Sequence, residues 1–337
     1  MPADPAGLTP TAADLLLRDV MPGHRVASCV LRTGGELSQV YEARFSDGTD
    51  PLIIKIYAEA WRWKQAKETV VYQMLDQHLV GPIPRILHAG AAPEQAGGHS
   101  YTVMTLLPGQ PLSAVSAGLD ESEIFGVYRQ MGTILAALHR VGQDAFGYLT
   151  TTILDPRPTN TDYMTRQFAT KLREFSGLGG DSALRAAIER HVQQHSELFA
   201  ACDHAVLCHN DFHEGNVLVE RGEDRCWQVT GFIDVENAIA ADPLIDLAKT
   251  ECYSIRGHRA KLDGLLNGYG PCGQASAGRL AIYRLYHALE LWDWFASVGR
   301  TEPLGGLARD MSEVINPSRP PSAGATVPDL ERSPAPP

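Results

Sequence analysis

The chain has 337 residues, with 29 Lys plus Arg against 40 Asp plus Glu, a formal net charge of −11. That length suits two domains or lobes at roughly 100–200 residues each, and 44% hydrophobic against 20% charged residues excludes wholesale disorder. The acidic balance argues against a nucleic-acid partner, which needs clustered Lys and Arg, and no stretch approaches 18 uncharged apolar residues, so no membrane partner is expected either.

In chain order, Thr9 followed by Pro10 predicts an N-cap and first-turn proline, opening a short helix through Leu17. CVLRTGG, QVYEARFSDG and PLIIKIY then read as three strands separated by turn residues, and a helix is expected over Trp63–His78. Ile86–His88 and SYTVMTLL complete a five-strand pattern, so residues 1–107 form a small, mainly antiparallel lobe with one long helix. After the turn PGQPL the chain becomes mainly helical, with helices over 124–141, 161–176, 182–201 and from Pro243 to about Met311. A short β interruption falls at VLCHNDFHEGNVLVE and WQVTGFIDVENA. Residues 108–315 make this second lobe, and 316–337, with seven prolines in 22 residues, read as a disordered tail. Six cysteines without a CxxC pair make a disulfide framework unexpected. With no signal peptide at the N-terminus, a reducing, cytoplasmic setting follows as the expectation.

The most informative stretch is His209-Asn210-Asp211-Phe212-His213-Glu214-Gly215-Asn216, followed 18 residues later by Asp234. Phosphoryl transfer to a hydroxyl needs a carboxylate to orient and accept the proton, hard oxygen ligands for Mg²⁺, and a cation on the nucleotide phosphates. A histidine two before the aspartate and an asparagine five after it have the spacing of the kinase catalytic loop. Asp234 ends a short buried strand and takes the place of the second metal-binding aspartate. Lys55 sits in the middle of an apolar strand, where its charge is costly unless paired. Glu68 on the following helix is the natural partner; the alternative is an edge strand with Lys55 reaching water.

The set Lys55, Glu68, HNDFHEGN, IDVENA and Asp242-Pro243-Leu244-Ile245-Asp246-Leu247-Ala248 resembles the aminoglycoside phosphotransferase and choline kinase-like family of small-molecule kinases over residues 25–300. The resemblance implies an α+β, protein-kinase-like bilobal fold. It further implies Asp211 as catalytic base with His209 beside it, Asn216 and Asp234 as Mg²⁺ ligands, Lys55 on the phosphates of ATP or GTP, and Gly34, Gly35 and Ser38 in the nucleotide loop. Met104 would lie behind the purine base, with the backbone of Thr105 and Leu107 at its edge. Two departures stand out: Asn210 where the family usually has glycine, and Val235 where an aromatic is frequent. Asp246 is expected to tie its helix to the catalytic loop.

On the acceptor side, Tyr286, Glu290 and Asp293 fall on one face of a helix over 279–298, with Leu285, Leu289, Trp292 and Phe295 as its core stripe. Together with His213 and Glu251 these are the candidate substrate contacts. The expected activity is ATP- and Mg²⁺-dependent phosphorylation of a small-molecule hydroxyl, on an aminoglycoside, nucleoside or other sugar-containing antibiotic. A primary-metabolic kinase and a nucleotide-binding pseudokinase stay open, as does monomer against homodimer. His204, Cys208, His209, Asp211 and His213 also offer zinc ligands. A protein kinase is disfavoured, because the chain reaches DPLIDLA within a dozen residues of Asp234 and has no A-P-E.

Overall fold

The computed structural model describes residues 7–34, 38–272 and 276–316, so Gly35 and the proline-rich tail beyond Asn316 lie outside the described residues. Two compact units emerge. The first runs to Gln110 and also takes Thr150–Thr152 and Thr230–Glu236; the second takes Pro111–Leu149, Ile153–Val229 and the chain from Asn237. The α+β class expected from the sequence is the class observed.

In the first unit Thr9 Oγ1 accepts from the Ala12 N–H and Pro10 occupies the first turn of helix α1 (Pro10–Leu17). An antiparallel sheet follows from β1 (Val26–Gly34), β2 (Ser38–Phe45), β3 (Leu52–Tyr57), β4 (Ile86–Ala91) and β5 (Ser100–Thr105), with helix α2 (Arg62–Gln77) between β3 and β4. The spatial order is β1-β2-β3-β5-β4. β3 is therefore the central strand, pairing Lys55 with Val40 and Thr102, which removes the edge-strand alternative for this lysine. Side chains alternate along β3. Leu52 and Ile54 join Ala13, Leu16 and Leu17 of α1 and Val103 in one core, while Lys55 and Tyr57 point to the opposite face, where Glu68 of α2 meets them.

The segment Thr230–Glu236 comes from far along the sequence but is bonded into this unit. The Thr230 hydroxyl donates to the Pro108 carbonyl (2.6 Å), Phe232 N–H to the Pro82 carbonyl (3.2 Å) and Asp234 N–H to the Tyr72 hydroxyl (3.1 Å). Gly231 has φ +153°, and a Cβ there would lie 2.7 Å from the Pro82 oxygen, so this crossing requires glycine.

The second unit contains α3 (Glu121–Leu138), α4 (Asn160–Gly177), α5 (Ser182–Gln194), α6 (Leu244–Thr250), α7 (Arg259–Tyr269), α8 (Ser276–Ser297) and α9 (Leu304–Ile315). α3 begins ahead of the expected Ile124 because Asp120 and Glu123 form a reciprocal capping box, a D-x-x-E signal visible in the sequence. α5 stops at Gln194, and Ser196–Ala201 continue as a 3₁₀ stretch. A small sheet orders its strands as Gly142–Gln143, Ala205–Cys208, Ile239–Ala241, Phe146–Leu149 and Ile153–Arg157. Ala205–Cys208 leads directly into the loop from His209 to Asn216, and its partner Ile239–Ala241 brings Asn237 alongside.

α3 and α7 meet backbone to backbone. A Cβ on Gly132 would lie 2.1 Å from the Leu265 carbonyl oxygen, on Gly264 2.5 Å from the Phe125 oxygen, and on Gly268 1.8 Å from the Arg129 oxygen. Backbone cannot rotate aside as a side chain can, so an added methyl separates the helices. Gly132→Ala is expected to destabilise the protein by about 1–3 kcal/mol or more, read from urea denaturation. Gly118→Ala, where a Cβ meets nothing within 4 Å, should stay within about 0.5 kcal/mol of the parent.

Candidate active site

In the first unit the Lys55 ammonium is surrounded by carboxylates: Glu68 at 3.0 Å, Glu236 at 3.1 Å and Asp234 at 3.2 Å. Three acceptors match the three N–H bonds of an ammonium. Burial works against the charged lysine, but Glu68, Asp234 and Glu236 outweigh it and hold Lys55 protonated well above the usual lysine range. Glu236 is 3% exposed and also pairs with the fully buried Lys64 at 3.0 Å, so burial loses to two cations and its acidity rises. Lys67, one turn further along α2, is brought down to about 6 by burial and by the Lys64 charge. Asp234 is the solvent-facing member, its side chain a third exposed. It holds φ +67°, a left-handed backbone unusual for a non-glycine residue and of the kind that collects at functional sites.

In the second unit the Asp211 carboxylate is 3% exposed and ringed by donors. Asn216 Nδ2 donates to the Asp211 backbone carbonyl (3.0 Å) and approaches Oδ2 at 3.4 Å; Asn237 Nδ2 approaches the same Oδ2 at 3.4 Å. His213 Nδ1 accepts from the Gly215 N–H (3.0 Å), which leaves the proton of the neutral ring on Nε2, 3.6 Å from Asp211 Oδ1. The loop is pinned by Asp246, whose two oxygens accept from the backbone N–H groups of His209 and Asn210 at 2.7 Å each. Burial opposes ionisation of Asp246, yet His139 at 3.1 Å, His209 and the Asn210 N–H keep its carboxyl below the usual range. Asp246 thus has the tethering role expected of it.

The acceptor-side candidates lie in the same unit. Tyr286, Glu290 and Asp293 of α8 face Gln167, Lys171 and Glu174 of α4, both sets spaced i, i+4, i+7. Glu290 is held by Lys249 at 3.0 Å and His287 at 3.2 Å, and these cations outweigh its burial and keep it well below the carboxylate range. Asp293 differs: it is 3% exposed and neither carboxylate oxygen has a hydrogen-bond partner among the described residues. Burial, with Glu174 and Glu290 nearby, pushes it up to about 7 against the pull of Lys171. Lys249 lies over the Tyr253 ring, which stacks on His213, so a continuous set of side chains runs from Asp293 to Asp211.

With this geometry in hand, the profile described as the phosphotransferase enzyme family matches residues 28–283. The chain belongs to that family. Its fold is shared by a thermostable mutant of the aminoglycoside phosphotransferase APH(4)-Ia in ternary complex with ADP and hygromycin B (TM-score 0.68, 19% identity, 92% of this chain and 98% of that one). A protein assigned as a fructosamine-3-kinase from Thermobifida fusca aligns with TM-score 0.64 and 18% identity over 90% of this chain and 99% of its own. The GDP complex of a mutant aminoglycoside 2′-phosphotransferase-IIIa gives 0.64 and 12% over 91% and 97%. The protein is therefore a small-molecule phosphotransferase.

The structure brings Lys55, Glu68 and Asp234 together in one unit, and Asp211, Asn216, His213 and His209 in the other. Gly34 ends β1 and Ser38 opens β2, on either side of residues 35–37. Met104 is buried on β5 opposite Ile53, while the Thr105 N–H is committed to the Arg85 carbonyl at 3.0 Å, so this N–H is not on offer to a nucleotide; Leu107 packs by Gly231. Glu251 does not join the α8 face of Tyr286. It pairs with Arg284 at 2.8 Å beside a cavity of about 210 Å³ lined by Leu247, Ile255, Leu262 and Leu280. The zinc grouping read from the sequence does not assemble: His204 is exposed and pairs with Asp203. His139, Cys208 and Asp246 do place ligand atoms within 4.8 Å of one another. However, Cys208 donates to the Asp242 carbonyl (3.6 Å), and burial with Asp246 and Asp242 holds it as a thiol, not the thiolate zinc needs.

Glu236, Lys64, Asn237 and Lys249 were missed by sequence reasoning. Glu236 and Asn237 sit in the IDVENA motif already singled out. Lys64 precedes Glu68 by one helical turn, a spacing that could have flagged it. Lys249 follows DPLIDLA, a lysine inside an otherwise apolar helix.

The Asp293 carboxyl is raised above its unfolded value near 3.9, so the folded chain binds its proton more tightly. The resulting cost is small near pH 4, grows as the pH rises and is complete above about 7. Asp293→Asn should stabilise the protein by roughly 2–4 kcal/mol at pH 8, with most of that gain gone by pH 4.5, measured by urea denaturation across the range.

Proposed function

We propose that the protein transfers the γ-phosphoryl group of ATP, or GTP, to a hydroxyl of an amine-bearing, polyhydroxylated small molecule. In this reading the acceptor is an antibiotic of the aminoglycoside or other sugar-containing type, and phosphorylation confers resistance or self-protection. The observation that carries the proposal is Asp211: a buried carboxylate at the tip of a strand, its loop pinned by Asp246 and its oxygens approached by two amides and an imidazole. Such a group orients a hydroxyl and takes its proton as the oxygen–phosphorus bond forms and the bond to the departing nucleoside diphosphate breaks.

Asp234 and Asn216 would hold Mg²⁺. Each offers oxygen of the hard kind this ion prefers, Asp234 a carboxylate a third exposed and Asn216 a side-chain amide. When bound, the ion supplies positive charge against the triphosphate. Lys55 supplies a second cation, and Glu68 and Glu236 keep its ammonium in place. On the acceptor side, Asp293 has no hydrogen-bond partner among the described residues and is suited to an ammonium group of the substrate, whereas Glu290 is already neutralised by Lys249. The hygromycin B held by the APH(4)-Ia neighbour and the fructosamine named for the Thermobifida fusca protein share this chemistry of hydroxyls beside an amine.

³¹P NMR of nucleotide turnover against aminoglycosides, nucleosides, ketosamines and amino alcohols tests the proposal. Asp211→Asn should lower kcat by about 10²–10⁴-fold while leaving nucleotide binding within twofold, and chelation should stop turnover until Mg²⁺ is returned. Lys55→Met should weaken nucleotide binding. Binding of nucleotide with no transfer to any acceptor or to water would overturn the enzymatic reading in favour of a pseudokinase.

A further inference from the structure

Asn210 has φ +57°. The left-handed conformation favours glycine, and asparagine is among the few side chains that adopt it at little cost. A glycine would satisfy this backbone, so the side chain calls for its own account. Its Nδ2 donates to the backbone carbonyl of Asn237 at 3.3 Å, while the Asn210 N–H is fixed on Asp246 Oδ1 at 2.7 Å. Asn237 is 7% exposed, lies two residues before the strand Ile239–Ala241 that pairs with Ala205–Cys208, and turns its own Nδ2 toward Asp211 Oδ2 at 3.4 Å.

We propose that Asn210 and Asn237 act as a coupled positioning pair, in which the Asn210 amide holds the Asn237 backbone so that the Asn237 amide fixes which oxygen of Asp211 faces the acceptor. This rests on the reading of Asp211 as the base. Asn216 Nδ2 reaches the same Oδ2 at 3.4 Å, so two amides converge on one oxygen. Among the described residues, Oδ1 is approached by the His213 imidazole, at 3.6 Å. Two donors on Oδ2 occupy its lone pairs and restrict rotation about the Cβ–Cγ bond, which leaves Oδ1 as the oxygen with a lone pair open to the acceptor proton. Both amide contacts are long, as catalytic hydrogen bonds are before substrate tightens them. Neither asparagine touches substrate in this scheme; each acts through Asp211.

The pair predicts non-additive effects, because both side chains work through one contact. With Mg·ATP and water as acceptor, followed by phosphate release, Asn237→Ala is expected to lower kcat about tenfold with the KM for ATP within twofold. Asn210→Gly, which keeps the left-handed backbone, should lower kcat roughly three- to tenfold, and the double variant should be no slower than Asn237→Ala alone. A second readout needs no turnover: in full-length chain labelled with ¹⁵N-asparagine, the Asn237 side-chain amide resonance should move in Asn210→Gly and in Asp211→Ala, and stay put in Arg185→Ala. An unmoved Asn237 resonance in Asn210→Gly, or losses that multiply in the double variant, overturns the pair. Turnover that survives Asp211→Asn defeats the base assignment instead, and the resonance still decides whether the two asparagines are coupled.

Discussion

One buried carboxylate holds the loop from His209 to Asn216 in place. Asp246 has no exposure to solvent and accepts from two successive backbone N–H groups and from an imidazole. Without those acceptors, the N–H groups of His209 and Asn210 would be desolvated with no partner, at about 1–3 kcal/mol each. The bonds also force the chain into the left-handed turn at Asn210, which aims Asp211 back toward Asn216 and Asn237. α6 matters here as the scaffold that places Asp246, more than for the apolar area it buries. The π-helical turn Glu251–Ile255 that continues it places the Ser254 hydroxyl on the Glu214 N–H and Tyr253 against His213.

The first unit solves a related problem with the opposite charge. A lysine in the central strand of an apolar sheet is tenable because carboxylates from α2 and from Thr230–Glu236 converge on it. The two glutamates are deeply buried and the aspartate is not. Two partners are therefore permanent parts of the fold, and the third is open to water. Glu236 is shared between Lys55 and Lys64, so the charge balance of the cluster extends along α2 instead of ending at the familiar lysine–glutamate pair.

What could be read from the sequence was what depends on spacing. Lys55 in the middle of the apolar run PLIIKIY needed an acid if it was buried, which led to Glu68; the strand pairing on both sides then settled that it is central. The His-x-Asp-x₄-Asn interval singled out the loop from His209 to Asn216, whose Asp211 and Asn216 do meet. What could not be read depends on which segments meet. Nothing in the spacing of IDVENA says that Asp234 and Glu236 belong with Lys55 while Asn237, one residue later, belongs with Asp211. The α8 face shows the same limit: helical periodicity put Tyr286, Glu290 and Asp293 on one side of α8, but only the arrival of α4 and Lys249 separates a neutralised Glu290 from an Asp293 without a hydrogen bond among the described residues. Asn210 could be seen as a departure from glycine, and its cause needed the backbone angle and the Asn237 carbonyl.

The backbone contact between α3 and α7 has a consequence for how this enzyme can change over generations. At Gly132, Gly264 and Gly268 every amino-acid replacement, whatever its polarity or size, adds a Cβ to a space already filled by a carbonyl. Every missense change in those three codons is therefore harmful for the same steric reason, and no compensating charge or solvent condition relieves it. The α4–α8 seam is made of long polar side chains and has no such restriction. Diverging lineages would therefore accumulate differences along Gln167, Lys171, Glu174, Glu290 and Asp293 more readily than at the glycine-locked helix pair.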